Sequence, residues 1–105
     1  MNILYVESNN KLIDLISENC SNSIHEIILL DNPKDGLLLL EQTKDIDLII
    51  TEIDFPNLNA ISYLKKIRKF NKDILLVVTS KLDIYSSFHD FQNLNISTIL
   101  KNHLL

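Results

Sequence analysis

The side chains able to do chemistry in this chain stand at the ends of apolar runs: Glu7 and Ser8, Glu52 and Asp54, Thr79 and Ser80, and Lys101. The most telling is Glu52, which closes the apolar stretch of DLIITEIDFPNLNA, residues 47–60. A second carboxylate follows two residues on, and then Phe-Pro. A buried-type run that stops on a carboxylate reads as the mouth of a parallel sheet, where ligands bind at the carboxyl ends of the strands. Carboxylates after the first and third runs can hold Mg²⁺, a hard cation that prefers oxygen ligands. Hydroxyls and an ammonium on the flanking runs can bind the oxygens of a phosphoryl group.

Five short apolar runs separated by four helical patterns position these groups. Residues 2–6 (NILYV) are too compact for a helix; Leu12, Ile13, Leu15, Ile16 and Cys20 then recur at helical spacing behind the candidate caps Ser8, Asn9 and Asn10. Ile27 to Leu30 form the second run. It ends at Asp31-Asn32-Pro33, where Asn caps free amides and Pro fits the first helical position. That helix carries Leu37 to Leu40 and is expected to end near Thr43. The third run, Leu48 to Ile53, is apolar on both alternating faces, as in a strand covered on both sides. Leu58, Ile61, Leu64 and Ile67 give a helical stripe opposite a basic set, Lys65, Lys66, Arg68, Lys69 and Lys72, read as a solvated face. Ile74 to Val78 form the fourth run, Tyr85, Phe88 and Phe91 mark a fourth helix, and Ile96 to Leu100 form the fifth run. This β-α repeat predicts an open α/β parallel sheet with helices on both faces.

Composition bounds the function. With 105 residues the chain holds one small domain, and its 46% hydrophobic and 23% charged residues are those of an ordinary globular protein. A net charge of −4 argues against broad binding to nucleic acid or anionic membrane. The lone Cys20 makes no internal disulfide and, on an apolar helix face, reads as core. Asn2 and Glu7 interrupt the opening apolar stretch, so no signal peptide is seen, and no run reaches the roughly 18 apolar residues of a membrane span. A cytoplasmic protein is expected. His25, His89 and His103 lack metal-ligand spacing. Only one glycine is present, so no phosphate-cradling glycine loop exists; twelve asparagines are expected to serve many of the turns.

In order and spacing the chain resembles the receiver domains of bacterial response regulators, the CheY-like family. ILYVESN resembles the first strand with its acidic pair, DGLLLLEQ the second helix, and DLIITEIDFPNLNA the third strand and its Pro-bearing loop. LLVVTS resembles the fourth strand, and STILKN the fifth with its lysine. The resemblance implies a flavodoxin-like, doubly wound five-stranded sheet of order 2-1-3-4-5. It also implies a signalling domain of a two-component or phosphorelay system, not an enzyme, whose partner is a sensor kinase or an output domain.

Matched residue by residue, Glu7 takes the first acidic position, Thr79 (with Ser80 beside it) the switch hydroxyl and Lys101 the lysine. Glu52 stands in place of the phosphoacceptor aspartate, and Ser8 in place of an acidic metal ligand. Asp54 lies where a backbone carbonyl reaches the metal. Thr98 replaces an aromatic, Asn102 a proline and Ala60 a glycine. Glutamate carries its carboxylate about an ångström further than aspartate, a misplacement that in-line transfer tolerates poorly. The resemblance therefore implies a pseudo-receiver acting by protein–protein contact, with no cofactor or at most weakly held Mg²⁺ on Glu7, Glu52 and Asp54. The alternatives are a Mg-dependent, phosphorylation-competent receiver and a small-molecule-binding doubly wound domain. Glu52 is expected to pair with Lys101.

The family's fifth helix is expected to be absent or truncated, since Leu105 lies four residues past Lys101. Residues 1–105 are then the N-terminal part of a longer protein or a unit that dimerises through residues 82–105.

Overall fold

The computed structural model describes residues 1–20, 24–81, 91 and 93–101. Five parallel strands form one sheet in the order β2-β1-β3-β4-β5: β1 (Asn2–Val6), β2 (Glu26–Leu30), β3 (Leu48–Glu52), β4 (Leu75–Ser80) and β5 (Thr98–Lys101). The helices are α1 (Asn10–Cys20), α2 (Pro33–Gln42) and α3 (Ala60–Phe70). The expected fold and strand order are observed. The boundaries that move by two residues are the end of β4, which runs on through Thr79 and Ser80, and the start of β5 at Thr98, with Ile96 packed against the core ahead of it. The fourth helix expected from Tyr85 and Phe88 falls outside the described residues, whereas Phe91 is buried.

Asparagine does the local work that glycine does elsewhere. Asn9 Oδ1 accepts from the Lys11 and Leu12 amides, Asn32 Oδ1 from Asp35, and Asn59 Oδ1 from Ser62, so one asparagine caps the start of each helix. Asn57 (φ 61°) and Asn95 (φ 52°) take the left-handed turns. The single glycine sits inside α2, where a Cβ would lie 3.1 Å from Val6 Cγ2. Gly36 thus lets α2 close onto β1.

The two sheet faces are unequal. Leu4 and Val6 on β1, Ile49 and Thr51 on β3, and Leu76 and Val78 on β4 share one face by register, and each has 0% exposure. Leu40 of α2 and Leu64 and Ile67 of α3 complete that core. On the opposite face Ile3, Tyr5, Leu48, Ile50 and Val77 are only half-buried, and Leu75 and Leu100 are exposed. Cys20 ends α1 half-buried in a cleft with Ile27 and Leu29 of β2, so it is less of a core residue than its helical spacing predicts. No helix among the described residues is long and apolar enough to cross a membrane.

Candidate functional site

Parallel pairing brings the strand ends to one edge. Glu7 follows β1, with its N–H bonded to Leu30 O at 3.0 Å; Glu52 closes β3 in register with Thr79, and Ser80 is in register with Lys101. Glu7 and Glu52 are 0% and 2% exposed. Two carboxyl groups buried side by side repel unless a cation or proton stands between them.

Backbone and side-chain donors reach both carboxyl groups. Ser8 donates twice to Glu52 Oε2, from its N–H at 2.9 Å and from its hydroxyl at 2.7 Å. Glu7 Oε2 accepts from the Asn9 N–H at 3.2 Å. Burial, then the hydrogen bond to Glu52, pushes the Glu7 carboxyl up to about 7. Burial also pushes Glu52 upward, but hydrogen bonds from Glu7 and Ser8 and the charge of Lys81 outweigh it and hold Glu52 below the usual carboxylate value. Both directions are those of a pair in which Glu7 keeps its proton longer than Glu52.

Asp54 belongs to a different set of bonds. Its Oδ1 accepts from Ser80 Oγ at 2.7 Å and its Oδ2 from the Lys81 N–H at 2.6 Å, tying the loop after β3 to the end of β4. Thr51 donates to Glu52 O at 2.9 Å, and its Oγ1 lies 2.7 Å from the buried hydroxyl of Tyr63, whose pKa burial pushes up to about 12. With the Thr51 proton committed, Tyr63 is the donor. Among the described residues, two buried side-chain oxygens have no partner: Glu7 Oε1 and Thr79 Oγ1.

The structure therefore gathers Glu7, Ser8, Glu52 and Thr79, places Asp54 and Ser80 beside them as a bonded pair, and leaves Lys101 exposed. The expected Glu52–Lys101 pairing is not made. Register aligns Glu52 with Thr79 and Thr79 with Leu100, so Lys101 falls one residue out of that row and two strands away. The cation acting on Glu52 is Lys81, and the roles of Ser8, Thr51, Tyr63 and Lys81 in holding Glu52 had no one-dimensional signal.

The donor chemistry of Glu7 and Glu52 suits a hard divalent cation, which ordinarily takes one or two carboxylates and keeps several waters. Glu7 Oε1 accepts no hydrogen bond. Each Asp54 oxygen accepts one, from Ser80 and from Lys81. No group of three His, Cys, Asp or Glu side chains able to hold a metal forms among the described residues.

The fold has parallels. The crystal structure of a CheY-like response regulator receiver domain protein from Methanospirillum hungatei superposes with a TM-score of 0.83 at 14% identity, over 99% of this chain and 82% of that one. Over 82 residues, 76% of this chain, the sequence is 32% identical to the two-component response regulator ARR21 of Arabidopsis thaliana. The chain is a CheY-like receiver domain. It spans 13% of the length of that Arabidopsis relative. A third parallel is the response regulator TrrA of Thermotoga maritima, solved with Mg²⁺ and a beryllium fluoride (TM-score 0.78, 20% identity, 98% of this chain and 87% of that one). No family model matches. Ser8 and Glu52, which the sequence resemblance sets against two acidic positions, bond to each other.

Proposed function

We propose that the domain is a pseudo-receiver of a two-component or phosphorelay system, working by contact with a sensor kinase or an output domain and not by phosphotransfer. One observation carries the reading: Glu52, which the sequence resemblance sets at the phosphoacceptor position, is already engaged by two Ser8 donors. An acceptor carboxylate must present a free oxygen to an incoming phosphorus in line. This one is buried, turned toward Ser8 and one methylene too long, and such misplacement costs about a hundredfold. Ser8 and Lys81 supply the compensation for the Glu52 charge that Lys101 was expected to give.

The competing reading, a phosphorylation-competent receiver, draws support from Thr79. Its buried, unpartnered hydroxyl is the sort of donor a phosphoryl oxygen would satisfy. The Mg²⁺–beryllium fluoride complex of the Thermotoga maritima relative favours the same reading for an intact site. Here Glu7 and Glu52 would hold the cation weakly.

Intact mass after incubation with Mg²⁺ and acetyl phosphate separates the two, with Glu52→Asp alongside. The pseudo-receiver reading expects no phosphoryl gain on the natural sequence. A gain on Glu52→Asp alone places the block in one methylene and the Ser8 bonds it permits. Phosphorylation of the natural sequence would defeat the proposal.

A further inference from the structure

Helices α2 and α3 touch each other on the fully buried face of the sheet. Between them lies a cleft of about 470 Å³, floored by Leu37, Leu58, Tyr63 and Phe70, with Leu38 on its lip at 45% exposure. The cleft does not end there. Past Asn59, Ser62 and Lys66, which line both, it runs into a second hollow of about 490 Å³ along α3.

Its charge departs from that of the molecule. The chain carries −4 overall, yet this track carries Lys34, Lys65, Lys66 and Lys69 against the single carboxylate Glu41. All four lysines are exposed. The remaining basic residue of α3, Arg68, is turned inward onto backbone carbonyls, so the helix sorts its cations into one internal and three outward.

We propose that this α2–α3 groove docks an acidic amphipathic helix of a partner protein, with apolar anchors over Leu37 and Leu38 and carboxylates toward Lys66 and Lys69. Three features select that occupant. The floor is apolar and the rim cationic, which calls for a ligand apolar on one side and anionic on the other. Two hollows in series outrun a compact small ligand. The 11 residues of α3 rise about 16 Å, a length that a partner helix of two to three turns spans with anchors at i, i+3 or i+4, and i+7. The inference concerns a different face from the strand-end site and does not rest on the pseudo-receiver reading.

The test uses fluorescein-labelled synthetic peptides of about 14 residues, a length that spans the groove as a helix. One has Leu anchors and flanking Glu, a second has the same anchors with Lys, and a third keeps Glu but has Gln at the anchors; dodecanoate serves as a compact anionic amphiphile. Fluorescence anisotropy is expected to give saturable binding of the first peptide only, weakened at least tenfold by Leu38→Glu and by Lys66→Glu. Both substitutions fall on exposed positions, and unchanged melting of each confirms an intact fold. Amide shift changes are expected to cluster on α2 and α3. Failure of the acidic peptide to bind would overturn the proposal. So would equal binding of the Lys or Gln peptide, insensitivity to both substitutions, or binding of dodecanoate alone.

Discussion

The hydroxyl and the backbone N–H of Ser8 both donate to one oxygen of Glu52, at 2.7 and 2.9 Å. Two residues that the sequence resemblance sets against acidic positions are therefore partners. An aspartate at position 8 would bring a third carboxylate to the pair; a serine brings a donor.

Ser8→Ala removes the shorter of these bonds from a buried carboxylate. A hydrogen bond to a charged group contributes about 1.5–3 kcal/mol. The second Ser8 donor remains, so a loss near the low end of that range is expected. Urea unfolding should show a lower midpoint with an unchanged slope. A midpoint equal to that of the natural protein would mean that water replaces the hydroxyl at no cost.

The carboxyl pair makes stability depend on pH in a particular direction. Glu7 has a pKa raised to about 7 from an ordinary 4.5, so the folded state binds its proton more tightly than the unfolded chain. Its stabilisation is complete below about pH 4.5 and is lost as pH rises through about 7. Glu52 is held below its ordinary value, so its contribution is present above about 4.5 and is lost as pH falls through its folded pKa. Together they place maximum stability near pH 5, with a falling melting temperature toward pH 8. Glu7→Gln keeps a donor toward Glu52 and has no proton to lose; its melting temperature should stay level from about pH 5 to pH 8. A parallel decline in this variant would assign the pH dependence to other groups.

Much of this arrangement is legible in one dimension where the cause is local. Asn32-Pro33 announces α2 because the cap closes within four residues, and the β-branched runs announce strands because burial on both faces leaves them few polar positions. Glu7, Glu52 and Thr79 are readable as one cluster because parallel strands bring their carboxyl ends to a common edge. What the sequence withholds is side-chain direction. Glu52 meets Ser8 across 44 positions, and only the β4–β5 register decides that Leu100, not Lys101, lies in its row. Arg68 is hidden for a like reason: it sits among lysines in sequence, yet its carbonyl partners at Leu94 and Asn95 arrive through the packing of the chain ahead of β5.

A divalent cation held by Glu7 and Glu52 would compete with the Glu7 proton. Metal binding to a protonated site releases the proton, so apparent affinity rises with pH. Magnesium at about 10 mM is expected to leave the melting temperature unchanged near pH 5.5 and to raise it near pH 8, where Glu7 is ionised. Isothermal titration calorimetry in buffers of different ionisation enthalpy should detect proton release near pH 7. Equal stabilisation at both pH values would separate the cation site from Glu7. In Ser8→Asp the added carboxylate should make the fold less stable without Mg²⁺ and more responsive to it.

Arg68 joins three segments through a single guanidinium. Nε donates to Leu94 O at 2.6 Å, Nη1 to Ile74 O at 2.6 Å and to Lys72 O at 3.2 Å, and Nη2 to Asn95 O at 2.7 Å. These carbonyls close α3, open β4 and precede β5, so the side chain fastens the connection to the edge strand without any carboxylate among its hydrogen-bond partners. A lysine ammonium is a point donor on a flexible stem and cannot reproduce the planar fork. Arg68→Lys should therefore behave nearly as badly as Arg68→Met, each losing about 2–3 kcal/mol as carbonyls are left unpaired. For a domain of this size that corresponds to a fall of roughly 8–20 °C in melting temperature. Hydrogen exchange should quicken first at β5, where the Thr79 and Ser80 pairings hold the edge. If Arg68→Lys melts with the natural protein, position 68 needs only a positive charge.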